Sequence, residues 1–179
     1  MSIPRWIAHR GAGKRAPENT LAAFELGWQH GWRAFECDVK LSADGVPFLL
    51  HDATLERTTD GQGVAGERPW AELATLDAGS WHSPAYAGEP LLRLDTLVDW
   101  ALPRGAWLNL EIKPTPGTEA HTGRAVAEAV DRLLRRHGPR APRGAAGPRQ
   151  TAVRPPARLS ARGAPPPQPR GRELDSQWP

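Results

Sequence analysis

The stretch Phe35-Glu36-Cys37-Asp38-Val39-Lys40 decides how this chain is expected to fold and where its chemistry lies. Polar and apolar residues alternate along it, which predicts a β-strand with Glu36, Asp38 and Lys40 on one face. Residues two apart in a strand are separated by roughly 6–7 Å, so Glu36 and Asp38 repel each other unless a positive charge lies between them. The face is therefore either the polar surface of an edge strand or part of a cation site, and the rest of the chain decides between the two.

The composition is that of one ordinary domain. The chain has 179 residues, of which 39% are hydrophobic and eight are tryptophan, so it can form a core. Cys37 is the only cysteine, which excludes an internal disulfide and favours a reducing compartment. No run approaches the ~20 apolar residues of a membrane span, and the residues after Met1 lack an apolar run of signal-peptide length. We therefore expect a soluble, cytoplasmic protein.

The net charge of +3 is distributed unevenly. Residues 1–137 carry 15 Lys and Arg against 18 Asp and Glu, whereas residues 138–179 carry eight Arg and only two acidic residues. The high isoelectric point thus comes from the C-terminal part, and it does not indicate a nucleic-acid-binding domain.

Strand-like and helix-like segments alternate up to residue 137, which predicts an α/β fold with parallel strands. Ala43-Asp44-Gly45 resembles a hairpin turn and can join one antiparallel pair. Ligands bind at the carboxyl ends of strands in such folds. The predicted strands are 6–9, 35–40, 47–52 and 107–113; the predicted helices are 70–76, 94–102, 121–137 and one that follows Pro17 with Asn19 or Thr20 as its N-cap. The polar residues at or near strand ends are His9, Asp38, His51 and Glu111.

Three of the carboxylates can form one metal site. Glu36 and Asp38 share a strand face, and Glu111 lies on the polar face of the alternating segment 107–113. Hard oxygen ligands suit Mg²⁺ or Ca²⁺ better than zinc. A divalent ion would relieve the carboxylate repulsion and act as a Lewis acid.

The remaining strand-end residues fit the handling of a phosphate group. Arg10 offers a planar fork and Lys113 a point charge, both suited to an anion. His9 and His51 can exchange protons near neutral pH, one as base and one as acid. Together with a metal, these residues suggest cleavage of a phosphoester. Each also has a purely structural interpretation, since such histidines often only form hydrogen bonds and Glu111 and Lys113 can be neighbours on a polar face.

Six motifs in this order resemble the glycerophosphodiester phosphodiesterase family, and most of all its bacterial cytosolic type. The resemblance runs from about Ile7 to about His137. The motifs are His9-Arg10-Gly11, Pro17-Glu18-Asn19-Thr20, Glu36-Cys37-Asp38-Val39, Asp44-Gly45, His51-Asp52 with Leu55-Glu56-Arg57-Thr58, and Glu111-Ile112-Lys113.

The resemblance implies a (β/α)₈ barrel with a small insertion after the third strand, here about residues 53–105. It implies hydrolysis of glycerophosphodiesters, such as glycerophosphocholine or glycerophosphoethanolamine, to glycerol 3-phosphate and an alcohol, with Mg²⁺ or Ca²⁺ as cofactor. Carried over residue by residue, it makes Glu36, Asp38 and Glu111 the metal ligands, His9 and His51 the catalytic residues, and Arg10 and Lys113 the phosphate-binding residues.

The C-terminal part departs from the family pattern. Members run to about 240–250 residues, the size of a complete barrel, whereas residues 1–137 supply about half of one. Residues 138–179 contain 10 Pro, eight Arg, seven Ala and five Gly, a composition that predicts disorder. They are either a basic tail or an out-of-frame translation of a GC-rich gene, and we favour the latter.

A half-barrel exposes strand edges, so we expect impaired activity. The alternative function is a catalytically inactive fragment or a binding protein that uses the metal pocket or the basic tail. Nucleic acid is not an expected partner, and the sequence leaves the oligomeric state open.

Overall fold

The computed structural model describes residues 4–138, and these form a mixed α/β unit. The elements are, in chain order, α1 (Leu21–Gln29), β1 (Ala34–Leu41), β2 (Pro47–Leu49), α2 (Trp70–Leu73), α3 (Leu94–Arg104), β3 (Trp107–Ile112) and α4 (Glu119–His137), with short 3₁₀ turns at Gly13–Arg15, Ala65–Glu67 and Pro84–Tyr86. The predicted tail lies outside the described residues, apart from Gly138, and its disorder and origin stay predictions.

β1 is the central strand of the sheet, whose order is β2-β1-β3. β3 pairs with it in parallel, with Asp38 opposite Glu111 and Val39 opposite Ile112. β2 pairs with it antiparallel, which confirms the hairpin predicted at Ala43-Asp44-Gly45. All eight residues of β1 are buried, so the polar face of this strand is not the surface of an edge strand.

Two predicted strands are shorter in the structure. The segment at 6–9 forms a single parallel bridge, between Ala8 and Phe35, because the backbone turns away at Arg10 with φ of 50°. The segment at 47–52 leaves the ladder after Leu50, whose N–H donates to the Asp38 carbonyl at 3.1 Å. Within residues 4–138 the sheet thus has three strands rather than the four predicted, and the complete barrel stays an expectation.

Thr20, not Asn19, caps α1. Its hydroxyl accepts a hydrogen bond from the Ala23 N–H at 3.3 Å, as expected of an N-cap threonine. The helix ends at Gln29 with His30 as its C-cap, followed by Gly31 with φ of 91°. The side-chain amide of Asn19 therefore does not cap the helix and instead contacts Asp38 of β1.

The main core lies between the sheet and the helices. Phe24 of α1, Phe35 of β1 and Trp100 of α3 form an aromatic cluster with ring centroids 5.7–6.1 Å apart. Val126 and Leu133 of α4 pack into the same core, whereas Leu134 of that helix is half-exposed. These contacts fix the helices on the face of β1 opposite Glu36 and Asp38.

Residues 53–91 form a second, smaller core, with Leu55, Leu73 and Leu91 buried in it. Phe48 of β2 belongs to this cluster and connects it to the sheet. Helix α3, by contrast, packs in the main core, although it falls within the predicted insertion at 53–105. None of the helices in the described part of the chain is long and apolar enough to cross a lipid bilayer.

Candidate active site

The two strands β1 and β3 bring the three predicted carboxylates together. Asp38 and Glu111 are direct neighbours in the parallel register, and Glu36 lies two residues before Asp38 on the same face. Each of the three residues offers a carboxylate oxygen, and these oxygens all lie within 4.8 Å of one another. The alternation that predicted this shared face is therefore confirmed in geometry.

Asp38 is completely buried and surrounded by donors. Its Oδ2 accepts a hydrogen bond from Asn19 Nδ2 at 2.9 Å, and its own N–H donates to Asn19 Oδ1 at 3.2 Å. Arg10 Nε lies 3.0 Å from the same Oδ2, and Lys113 Nζ lies 3.7 Å from Oδ1. Because a buried carboxylate is costly without compensation, these partners explain how Asp38 is tolerated at this position.

Glu36 is less well compensated. Its Oε2 accepts a hydrogen bond from the backbone N–H of Arg10 at 3.0 Å and lies 3.8 Å from His9 Nε2. Burial, together with the negative charge of Asp38, raises the pKa of Glu36 to about 7. The charged form of Glu36 is therefore not fully compensated by its neighbours.

The carboxylates fit a divalent metal ion. Glu36 Oε1 and Asp38 Oδ1 are buried, and neither has a hydrogen-bond partner among the residues that the structure describes. Buried oxygen atoms without a partner are unusual, and a cation between them would satisfy both. Oxygen donors alone suit Mg²⁺ or Ca²⁺, whereas zinc prefers nitrogen and sulfur ligands.

Glu111 completes the cluster from an exposed position. Lys113 Nζ donates to Glu111 Oε1 at 2.5 Å, and this contact lowers the pKa of Glu111 and raises that of Lys113. Lys40, on the polar face of β1, donates from Nζ to the Lys113 carbonyl at 3.1 Å. The lysine predicted to bind phosphate thus lies directly beside the carboxylates.

His9 and Arg10 occupy the turn that follows the Ala8 bridge. Arg10 has a positive φ, an unusual conformation that occurs where surrounding structure enforces it. Gly11 follows with φ of 98°, and a β-carbon there would lie 2.7 Å from that of Ala23, so this position requires glycine. Burial, then the charge of Arg10, lowers the pKa of His9, so its ring is neutral at pH 7.

His51 follows Leu50 at the end of the β2 segment. Because the Leu50 N–H donates to the Asp38 carbonyl at 3.1 Å, His51 lies beside the end of β1 that carries Asp38. His51 Nδ1 lies 2.6 Å from Asp52 Oδ1. The structure therefore brings all seven predicted site residues to one edge of the sheet, while their individual roles stay predictions.

Sequence reasoning missed four residues that hold this arrangement together. Asn19 was expected only as a possible helix cap, whereas its amide binds Asp38. Asn19 has a φ of 60°, a conformation that asparagine adopts more readily than most residues. An asparagine just before the helix was thus the local sign of a turn at this position. The other three, Glu18, Asp52 and Arg57, lie in the recognised motifs but had been assigned no role.

Comparison with known proteins agrees with this geometry. The family model for the glycerophosphoryl diester phosphodiesterase family matches residues 9–148. A glycerophosphodiester phosphodiesterase of Caldanaerobacter subterraneus is 36% identical over 126 residues, which are 68% of this chain and 52% of that protein.

Two solved structures are similar over most of the described residues. A phosphodiesterase from Oleispira antarctica, in complex with the product sn-glycerol-3-phosphate, is 44% identical with a TM-score of 0.70, covering 76% of this chain and 54% of that one. A glycerophosphodiester phosphodiesterase from Agrobacterium tumefaciens is 40% identical with a TM-score of 0.62, covering 71% and 52%. The chain spans about half the length, or less, of the curated relatives it matches.

Proposed function

The chain belongs to the glycerophosphoryl diester phosphodiesterase family, and we propose that it hydrolyses glycerophosphodiesters to glycerol 3-phosphate and an alcohol. The observation that carries this proposal is the cluster of Glu36, Asp38 and Glu111 beside the cations Arg10 and Lys113. Such a cluster supplies both a divalent-cation site and a binding site for the phosphate of a diester. The product bound to the Oleispira antarctica relative supports glycerol 3-phosphate as the product here.

We assign the metal to Glu36, Asp38 and Glu111, with Mg²⁺ or Ca²⁺ as the ion. Its chemistry, once bound, is that of a Lewis acid that neutralises charge on phosphoryl oxygens. Arg10 and Lys113 hold the anionic phosphate by charge-assisted hydrogen bonds. Asn19 contributes indirectly, because its two hydrogen bonds to Asp38 fix the position of that carboxylate.

The two histidines transfer protons at opposite ends of the reaction. The ring of His9 is neutral at pH 7, since burial and Arg10 lower its pKa, and it can accept a proton from the attacking oxygen. His51 then donates a proton to the oxygen of the leaving alcohol. Glycerophosphocholine and glycerophosphoethanolamine are the substrates we propose, and the single, buried Cys37 agrees with a cytoplasmic location.

We expect turnover by this chain to be lower than that of a full-length relative. Glu111 lies on β3, which pairs only with β1 among residues 4–138, and its side chain is 55% exposed. One metal ligand and one phosphate-binding residue therefore lie on a strand that is open along its outer edge. A loosely held ligand weakens positioning, and misplacement by about 1 Å can reduce a rate on the order of 100-fold.

The test is release of sn-glycerol 3-phosphate from glycerophosphocholine by the purified chain, with Mg²⁺ or Ca²⁺. Glu36→Gln is the control, because it keeps the shape of the side chain and removes a proposed ligand. Release above the Glu36→Gln background supports the activity, and release at the rate of a full-length relative contradicts the expected impairment. Metal binding by calorimetry without release would support the alternative, a metal-binding protein without catalysis.

A further inference from the structure

Arg57 joins two carboxylates that each hold a different side chain of the candidate site. It donates to Asp52 from Nε at 2.6 Å and from Nη2 at 3.0 Å. It also donates to Glu18, from Nη1 at 3.0 Å and from Nη2 at 2.8 Å. Asp52 in turn lies 2.6 Å from His51 Nδ1, and Glu18 accepts a hydrogen bond from Arg10 Nη1 at 2.9 Å.

We propose that Arg57 is a positioning residue, which fixes Asp52 and Glu18 and thereby holds His51 and Arg10 in one arrangement. This inference rests on the proposed function, in which His51 transfers a proton and Arg10 binds the phosphate. Arg57 itself is not a catalytic residue, since it reaches the site only through the two carboxylates.

The shape of the arginine side chain explains why this position needs it. A planar guanidinium presents several N–H groups in a fixed fork, so one side chain can make four hydrogen bonds to two carboxylates at once. Its charge also offsets the repulsion between Asp52 and Glu18. A lysine carries the same charge but cannot hold both carboxylates in fixed orientations.

The network also determines what Asp52 offers to His51. Hydrogen bonds from Arg57 hold the pKa of Asp52 well below its usual range, so it remains a carboxylate at neutral pH. A carboxylate at Nδ1 keeps a proton on that nitrogen whether the ring is neutral or charged, so Nε2 is the nitrogen that takes up a proton and then donates it to the leaving alcohol.

The backbone around Arg57 is anchored in the second core. Leu55 and Thr59 are both buried, and the Thr59 hydroxyl donates to the Leu55 carbonyl at 2.7 Å. Arg57 therefore reaches from a packed segment, residues 53–91, to the strand-end site. Since its side chain is 44% exposed, the ion pairs contribute little to global stability, and their main effect is on orientation.

The experiment compares the ¹⁵N signals of the His51 ring in the full chain, free of metal, between wild type and Arg57→Gln. We expect wild type to show mainly the Nδ1-protonated tautomer and Arg57→Gln to show a mixture of both tautomers. Arg68→Gln is the matched control, because Arg68 lies in the same segment and its guanidinium makes two exposed contacts away from the site, with Glu72 at 3.6 Å and with the Gln62 carbonyl at 3.5 Å. The control should leave the His51 signals unchanged.

A second measurement follows hydrolysis of glycerophosphocholine with Mg²⁺. We expect kcat to fall on the order of 10- to 100-fold in Arg57→Gln, to recover in part in Arg57→Lys, and to stay unchanged in Arg68→Gln. If wild type shows no hydrolysis, the proposed function fails, while the ring signals still decide the role of Arg57.

Unchanged His51 signals in a folded Arg57→Gln variant would overturn the proposal, even if its melting temperature falls. Should Arg57→Gln not fold, Asp52→Asn gives the same readout, because it removes the carboxylate that faces Nδ1. A His51 ring that keeps its tautomer in Asp52→Asn would equally overturn the proposal.

Discussion

The strands β1 and β3 have the same alternating pattern and carry the same site, yet their environments differ. Asp38 on β1 and Glu111 on β3 are paired in register, but Asp38 is fully buried whereas the Glu111 side chain is 55% exposed. β1 has neighbours along both edges, while β3 in the described residues has only β1. Alternation thus determines which residues share a face, and the neighbouring strands determine how deeply that face is buried.

This difference divides the site into a rigid half and an open half. Asp38 is held by Asn19, Arg10 and Lys113, each from a different part of the chain. Within residues 4–138, the Glu111 carboxylate bonds to one side chain, that of Lys113, two residues further along the chain. The β1 half is therefore arranged before any ligand binds, whereas the β3 half depends on what covers its outer edge.

The largest difference in stability between the two strands should come from removing Asp38 in one variant and Glu111 in another. We expect Asp38→Ala to destabilise the chain by about 3 kcal/mol, because it leaves the buried groups of Arg10 and Asn19 without their partner. Relief of the repulsion with Glu36 offsets only part of this loss. Glu111→Ala should cost less than about 1 kcal/mol, since its ion pair is exposed to solvent.

Urea unfolding of both variants, without metal, measures this contrast. Asp38→Asn is the conservative control, because it keeps the size of the side chain and one acceptor oxygen. Equal losses in Asp38→Ala and Glu111→Ala would show that β3 is as enclosed as β1 in solution, as a partner along its free edge would make it.

A smaller contrast is expected between the apolar residues of the same register. Val39 is fully buried in the main core, whereas Ile112, opposite it on β3, is 40% exposed. Val39→Ala should cost about 2 kcal/mol, from lost apolar burial and the cavity left behind. Ile112→Ala should cost about 1 kcal/mol or less, although it removes more atoms.

The urea concentrations at the unfolding midpoints of Val39→Ala, Ile112→Ala and wild type measure this difference. The order of the two effects is informative, because transfer free energy alone would make Ile112→Ala the more costly change. If Ile112→Ala proves more costly than Val39→Ala, the assignment of β3 as an open edge is contradicted.

The parts of the fold that the sequence predicted are those with a local signal. Strand alternation in 35–40 and 107–113 located the site carboxylates, and the cap candidates Asn19 and Thr20 located the start of α1. The strand at 6–9 was predicted from apolar composition alone, and the turn at Arg10 reduces it to one bridge. Composition indicates burial, but it does not indicate where the backbone turns.

The supporting residues could not be predicted because their partners are distant in sequence. Asn19 and Asp38 are 19 residues apart, and Arg57 and Glu18 are 39 apart. From local sequence, Asn19 and Thr20 are equally good N-caps for the helix. Only the position of β1 beside the turn brings the Asn19 amide within hydrogen-bond distance of Asp38. Long-range hydrogen bonds of this kind follow from tertiary packing rather than from local preference.

The pH dependence of stability should also distinguish the two halves, because Glu36 and Glu111 should contribute to it with opposite sign. Burial and the charge of Asp38 raise the pKa of Glu36 to about 7 from an ordinary value of 4.5. The folded protein then binds this proton more tightly than the unfolded chain does, so stability should fall as pH rises from about 4.5 to about 7. Lys113 lowers the pKa of Glu111, so Glu111 contributes stability that is lost only as pH falls below its ordinary range.

Melting temperatures between pH 5 and pH 8 in EDTA separate these contributions, because His9, whose own pKa is lowered, is common to all variants. Glu36→Gln should remove the decline toward neutral pH, whereas Glu111→Gln should keep it. If the melting temperature of Glu36→Gln still falls toward neutral pH, the group that titrates is another member of the cluster and not Glu36. Since a proton and a metal ion compete for Glu36, a divalent ion should stabilise wild type progressively more as pH approaches 7, and this gain should be small in Glu36→Gln. The β1 half of the site would then be the half in which ionisation and metal binding are coupled.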